Sequence, residues 1–280
     1  MSAARVLLLG GIAGATIFLG LPVGRVRRLS TSTRALLNAI AIGILLFLLW
    51  DVLSHAVEPV ESALTAAALD HKGSWLRFAG LASTFVACLG VGLLSLVYYD
   101  RWLGRRARPF GPGASTVDEL RPSGVSAMSH GSRLALLIAV GIGLHNFSEG
   151  LAIGQSAAKG EVSLALLLII GFGLHNATEG FGIVAPFATE EERPSWGYLV
   201  MLGVIGGGPT FVGTAIGRSF VNDTIFLGFL ALAAGSILYV ILQLVKMAFR
   251  MDRKEVLAWG ILIGFLLGLA TDFVLVAAGA

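Results

Sequence analysis

Long apolar runs separated by short polar stretches dominate the 280-residue chain. A helix needs about 20 apolar residues to cross a hydrocarbon core about 30 Å thick. Eight runs reach that length, at roughly 5–23, 35–57, 77–99, 133–157, 162–187, 197–217, 224–246 and 256–278. They are too long and too uniformly apolar for the alternating strands of a membrane barrel. The pattern predicts an all-α, polytopic membrane helix bundle of eight transmembrane helices.

The spans leave room for a single transmembrane domain over residues 1–280. The first span is followed by GRVRRLS and not by a small-residue cleavage pattern, so we expect a retained helix. Residues 100–132 form the longest connection, rich in Arg, Pro, Gly and Ser and without a hydrophobic period. This segment is predicted to be a flexible cytoplasmic loop.

Composition agrees with a membrane protein, because 56% of the residues are hydrophobic and only 13% are charged. Fifteen of the 20 Lys and Arg residues fall in one set of alternate loops, and such residues collect on the cytoplasmic side. Both termini are therefore predicted to lie outside the cytoplasm. The net charge of +3 follows from this asymmetry, so the expected partner is the lipid bilayer and no nucleic acid is needed.

One polar motif occurs twice within the apolar runs. GIGLHNFSEG covers residues 141–150 and GFGLHNATEG covers residues 171–180, a period of 30 residues. Residues i and i+4 share one face of a helix, so His145 projects with Glu149, and His175 with Glu179. Asn146 and Asn176 are expected to flank the same pocket.

The two motif helices are joined by a very short connection around Gly160, which predicts an antiparallel hairpin. Each motif histidine is 15 residues from Gly160, about 22 Å along its helix. The two histidines are thus expected at nearly the same depth in the bilayer interior, with both glutamates within about a turn.

Burial of these groups needs a physical explanation. An ionised carboxylate at mid-bilayer costs at least a few kcal/mol, and two nearby carboxylates repel each other. A divalent cation removes both penalties, and imidazole nitrogens suit Zn²⁺ and its neighbours. The alternative is that His and Glu pair within each helix as buried structural contacts. Duplication at matched depth favours the metal.

These residues resemble the motifs of the ZIP (zinc- and iron-regulated transporter-like) family of metal transporters. The resemblance covers essentially the whole chain: eight spans, extracytoplasmic termini, a long third loop, and HNxxEG in the fourth and fifth helices. It implies a metal site formed by His145, Asn146, Glu149, His175, Asn176 and Glu179. It also implies a multi-pass protein of the bacterial inner membrane. The substrate it implies is Zn²⁺, or Fe²⁺, Mn²⁺ or Cd²⁺, moving toward the cytoplasm.

Two departures from that family bear on the site. Many bacterial members have Pro before the motif glutamate, where this chain has Ser148 and Thr178. Several also carry a glutamate beside a Pro in the sixth helix, where this chain has Thr210 after Pro209. A single principal metal site is therefore expected. Three glycines and Pro209 at mid-span also predict a weakened or broken sixth helix.

Further polar residues could line the path of a cation. Asp51, His55 and Glu58 lie on nearly one helical face by their spacing, and Asp272 is expected at a comparable level. They could guide cations by their negative potential, with Thr210 as a possible neighbour of the site. The alternative is a solvated helix end in which Asp51 pairs with His55.

The function predicted is transport by alternating access around the central site, with no enzymatic activity and the metal as substrate, not as catalytic cofactor. A metal-selective channel differs from this only in kinetics. An intramembrane metalloenzyme is less favoured, because membrane zinc proteases need HExxH and this chain has Asn146 and Asn176 in place of the glutamate. A second copy of the chain is a candidate partner.

Overall fold

The computed structural model describes residues 2–26, 30–69, 73–106, 128–158, 162–189, 193–219 and 222–277, and within these ranges it is all-helical without a strand. The α-helices are α1 (Ala3–Ala15), α2 (Thr31–Ala68), α3 (Trp75–Arg106), α4 (His130–Ala158), α5 (Val162–Val184), α6 (Trp196–Gly217), α7 (Asp223–Arg250) and α8 (Lys254–Ala277). Short 3-10 segments extend α1 to Arg25 and follow α5.

Seven helices in the described part of the chain are long and apolar enough to cross a membrane. They indicate a multi-pass membrane protein and confirm seven of the eight predicted spans. The predicted span 162–187 corresponds to α5, which is not among the seven. Some of its side chains lie outside the described residues, so α5 is not counted among the spans that the described part of the chain shows. The prediction of eight spans is corrected to this count.

The predicted loop 100–132 is shorter than expected at both ends. Helix α3 continues to Arg106 and α4 begins at His130, so part of the segment is helical. Residues 107–127 lie outside the described residues. The aromatic pair of Tyr99 and Trp102, with ring centroids 5.9 Å apart, supports the last turns of α3 where no apolar period was visible.

Polar residues begin several of the helices. Ser30, Ser195 and Asn222 each accept a hydrogen bond at 3.0–3.1 Å from the backbone N–H three residues later. These caps satisfy N–H groups that have no partner inside the helix. Exposed tryptophans mark both ends of the bundle, with Trp75 at one end and Trp196 and Trp259 at the other. Such belts are typical of the two membrane interfaces.

Glycine contacts define how the helices run relative to one another. Along the α2–α8 pair, Gly260 faces Ala39, Gly264 faces Ile40 and Gly268 faces Phe47. The contacts advance in the same direction on both helices, so the two helices are parallel. Helices α3 and α7 are parallel by the same criterion, because Gly228 faces Thr84 and Cys88 while Gly235 faces Leu89 and Leu93. Small residues allow this close approach of backbones in membrane bundles.

The same contacts place the remaining helices. Helix α4 runs parallel to α6, and α5 runs parallel to α1, whose Ile17 and Gly20 face Gly180. Helix α1 is antiparallel to α6, with Gly10 against Thr214 and Gly14 against Gly207. Helix α7 is antiparallel to α4, because Gly141 faces Ser236 and the ring of Phe147 lies against that of Phe229. Gly182, near the end of α5, lies next to Leu45 in the first half of α2, so α2 is antiparallel to α5. The odd-numbered helices α1, α3, α5 and α7 therefore begin at one end, called here the N-terminal end of the bundle. The even-numbered helices begin at the opposite end.

Helix α6 is continuous from Trp196 to Gly217 with Pro209 inside it, so the predicted break does not occur. Proline removes the N–H that the Ile205 carbonyl would otherwise accept. That carbonyl lies against Gly143 of α4, and the next carbonyl, of Gly206, accepts a hydrogen bond from Asn146 at 3.0 Å. Contacts with α4 thus replace the stabilisation that proline and glycines remove.

The main hydrophobic core lies toward the end of the bundle at which the even-numbered helices begin. It joins the first half of α2, the first half of α4, the end of α5, the start of α6 and the second half of α7. Ile42, Ile138, Ile142, Ile183 and Leu202 are at most 1% exposed within it. Large apolar side chains therefore close this end of the bundle.

We expect Gly43→Ala to lower the free energy of unfolding by about 1–3 kcal/mol, because the new methyl group would overlap the backbone of α8. Thermal unfolding of the detergent-solubilised protein should show a drop in apparent Tm of roughly 2–12 °C. Gly80→Ala is the matched control, since a Cβ at Gly80 meets nothing within 4 Å. Equal Tm values for the two variants would contradict backbone-to-backbone packing of α2 and α8.

Candidate metal-binding site

Both copies of the repeated motif lie on continuous helices and are flanked by glycines. In α4, Gly143 and Gly150 pack against the backbone of α6, and in α5, Gly180 packs against the segment that follows α1. Without these glycines the helices would be held farther apart. The glycines therefore bring the polar motif side chains to the helix crossings.

His145 and Glu149 form a buried pair on one face of α4. The Nε2 atom of His145 lies 3.1 Å from Oε1 of Glu149, and the two residues are 3% and 6% exposed. This confirms the shared helical face that the i, i+4 spacing predicts. Within the described residues, Oε2 of Glu149 has no hydrogen-bond partner.

Asn146 joins three helices through its side-chain amide. Its Nδ2 donates to Oε2 of Glu179 on α5 and to the carbonyl of Gly206 on α6, both at 3.0 Å. Asn146 and Glu179 are both fully buried. The two motif copies therefore meet each other, and the contact runs from the asparagine of one copy to the glutamate of the other.

The α5 copy of the motif also contacts α1. Nδ2 of Asn176 donates at 3.0 Å to the carbonyl of Ala13, which also accepts a hydrogen bond from the hydroxyl of Thr16 at 2.7 Å. The side chain of His175 lies outside the described residues. Of the predicted convergence of two histidines and two glutamates, the structure shows the contact of His145 with Glu149, while Glu179 contacts the Asn146 amide. The meeting of all four side chains stays a prediction.

Several buried oxygen atoms around the motifs have no hydrogen-bond donor among the described residues. They are Oδ1 of Asn146, Oε2 of Glu149, Oδ1 of Asn176 and Oγ1 of Thr210. Buried polar atoms are normally paired, because an unpaired one costs about 1–3 kcal/mol. In the described part of the chain, however, no three His, Cys, Asp or Glu side chains are close enough together to hold a metal ion.

A cavity of about 410 Å³ leads to the His145–Glu149 pair. Its walls come from α2, α4, α5, α7 and α8, and Ser148 and Ala152 extend its floor along α4. The exposed side chains of Trp50, His55 and Val276 mark its mouth. Val276 lies in the last turn of α8, and Trp50 and His55 lie in the second half of α2. The cavity therefore opens toward the N-terminal end of the bundle.

The predicted pathway residues have different locations. Asp51, His55 and Asp272 line this cavity together with Glu149. Glu58 is exposed and does not line it. Thr210 is fully buried in α6, where it faces Gly14 of α1 and not the cavity.

Other lining residues were not predicted from the sequence. They are Trp50, Ser54, Ser148, Phe172, Phe226 and Leu230. Phe226 and Leu230 come from α7, which carries no polar motif, so no pattern along the chain marks them. Ser148 lies next to Glu149 within the motif itself, and that adjacency is the one signal that could have identified it.

The arrangement suits the binding and release of a cation more than covalent chemistry. Carboxylate and amide oxygens with a neutral imidazole can coordinate a divalent ion. A purely structural His–Glu pair would not need a cavity leading to it. Buried acids that are reached from one end of the bundle are typical of an ion pathway.

Asn146→Ala should lower the free energy of unfolding by about 1–3 kcal/mol for each buried acceptor left without its donor. Asn176→Ala is the matched control, because the Ala13 carbonyl keeps its bond from Thr16 and only one contact is lost. Thermal unfolding in detergent should therefore rank Asn146→Ala as the less stable variant. The reverse order would contradict the bridging role of Asn146.

No protein-family model matches this chain, and no curated protein matches it. The function proposed below therefore depends on the motif residues of α4 and α5 and on their geometry.

Proposed function

We propose that this protein transports a divalent transition metal across the membrane, with Zn²⁺ as the principal substrate and Fe²⁺, Mn²⁺ or Cd²⁺ as related ones. One observation carries the proposal: among the described residues, Oε2 of buried Glu149 has no donor, and Glu149 lies at the base of a cavity that opens at one end. The buried amide oxygens of Asn146 and Asn176, in the same two motifs, also have no donor among those residues. A visiting cation would satisfy those oxygens and offset the charge of the carboxylates. His175 completes the proposed ligand set, by the resemblance of the motifs to those of the ZIP transporters.

Alternating access is the proposed mechanism. It is supported by an asymmetry between the two ends, because the cavity reaches Glu149 from the N-terminal end while the apolar core closes the opposite end. A carrier holds its site between two such gates and opens them in turn. In the parallel pairs α2–α8 and α3–α7, glycines of each helix pack against the backbone of the other. Such close packing suits each pair to move as one unit when one gate closes and the other opens.

The proposed direction is toward the cytoplasm. The described basic residues that border the loops rich in Lys and Arg, among them Arg34, Arg101, Arg133 and Arg250, lie at the end where the even-numbered helices begin. The positive-inside rule assigns that end to the cytoplasm. The cavity then faces outward and both termini are extracytoplasmic, as in a protein of a bacterial inner membrane. No enzymatic activity is proposed, and the metal is a substrate. Because imidazole must be deprotonated to ligate, metal binding by this site should release protons.

We expect Glu149→Ala and Glu179→Ala each to reduce metal flux into reconstituted vesicles by more than about tenfold, because each removes a charged ligand from the buried site. Uptake of Zn²⁺, Fe²⁺, Mn²⁺ and Cd²⁺ would be measured in competition, with internal pH recorded. Glu58→Ala is the control, since it removes an exposed carboxylate that does not line the cavity. Normal flux in either motif variant, with the protein folded, would defeat the proposal.

Vesicle measurements also separate the carrier from the two alternatives. Saturable, slow flux supports the carrier, whereas single openings measured as discrete conductance steps support a metal-selective channel. A metalloenzyme would retain bound metal stoichiometrically after dialysis without moving it across the bilayer. The occurrence of Asn146 and Asn176 where a zinc protease needs glutamate argues against that class.

A further inference from the structure

The α2–α8 pair places two aspartates opposite each other. Residues Ala39, Gly43 and Phe47 of α2 contact Gly260, Gly264 and Gly268 of α8, in that order. Each step is four residues on both parallel helices, so the next step pairs Asp51 with Asp272. Both of these residues line the cavity that leads to Glu149. The register of a tightly packed helix pair therefore brings two carboxylates to the same level of one cavity wall.

The described wall of the cavity carries no Lys or Arg to compensate the charge of the two aspartates. His55 is the nearest basic group, and its Nδ1 lies 2.9 Å from the backbone carbonyl of Asp51 and 3.5 Å from Oδ1 of Asp51. An Nδ1–H donated to that carbonyl leaves the Nε2 lone pair available to a ligand.

A second observation links this level to an ion. Glu149, at the base of the same cavity, is 6% exposed, and its Oε2 has no hydrogen-bond partner within the described chain. A cation that approaches Glu149 from the mouth must pass Asp51 and Asp272. Two neighbouring carboxylates repel each other. A divalent cation between them attracts both, and these attractions outweigh the repulsion.

We infer that Asp51, His55 and Asp272 form an outer site that holds a hydrated divalent cation before the cation moves to Glu149; this inference rests on the proposed function. No three described acidic, His or Cys side chains are close enough to ligate a metal directly, so the ion keeps its water here. Six waters occupy about 180 Å³ at ~30 Å³ each, which the cavity of about 410 Å³ accommodates. The outer site concentrates cations by charge, whereas the inner site selects them by ligand type.

The double variant Asp51→Asn/Asp272→Asn tests the outer site. In vesicles it should raise the Zn²⁺ concentration for half-maximal uptake by about tenfold and leave the maximal rate within about twofold, because capture is lost and the inner site is kept. This difference should shrink at high ionic strength, where the attraction is screened. Millimolar Mg²⁺ should compete with Zn²⁺ for uptake by the unaltered protein, because a site that binds the hydrated ion does not distinguish the two metals by their preferred ligands. In the double variant Mg²⁺ should have no such effect. Glu58→Gln is the matched control.

Mn²⁺ binding to the purified full chain, followed by electron paramagnetic resonance of the free ion, separates this inference from the proposed function. A weak, Mg²⁺-sensitive Mn²⁺ site should persist in Glu149→Ala/Glu179→Ala and disappear in Asp51→Asn/Asp272→Asn. If the unaltered protein moves no metal, the proposed function fails, and the Mn²⁺ measurement alone decides the outer site. If the double variant Asp51→Asn/Asp272→Asn showed the same Zn²⁺ concentration for half-maximal uptake and the same Mn²⁺ binding as Glu58→Gln, the outer site would be overturned.

Discussion

Burial of carboxylates in an apolar helix bundle is the constraint on which this structure depends. Glu179 is fully buried and Glu149 is nearly so, in a chain where 13% of the residues are charged. Such groups are stable only when hydrogen bonds or counter-charges compensate the lost hydration. Asn146 and His145 supply part of that compensation. Among the described residues, Oε2 of Glu149 has no such partner, and it lies at the base of a cavity, where we propose that a cation binds.

Close backbone packing makes the buried site geometrically possible. Glycines of α4 and α5 let the motif helices approach α6 and α1, and Asn146 then reaches both Glu179 and the Gly206 carbonyl. The same device in α2 and α8 sets the register that brings Asp51 and Asp272 level with each other. Packing and electrostatics are therefore coupled in this protein, because the small residues that join the helices also decide which charges meet.

Individual residues show how far prediction from the sequence reached. The shared face of His145 and Glu149 followed from helical spacing, and the structure confirms it at 3.1 Å. The break expected at Pro209 does not occur, since α4 covers the carbonyls that proline and glycine leave exposed, and no local propensity contains that contact. Likewise, periodicity placed Glu58 beside Asp51 and His55, but the cavity lies on the side toward α8 and excludes it.

The sequence by itself determined the membrane environment, the approximate positions of seven spans and the polar face of α4, because each depends on local composition or on the helical period. Only the tertiary structure decided that Asn146 pairs with Glu179, that Asp51 and Asp272 line one cavity, and that the cavity opens at one end. These features depend on the register between helices far apart in the chain. That register arises where glycine backbones lock together, and no single segment encodes it alone.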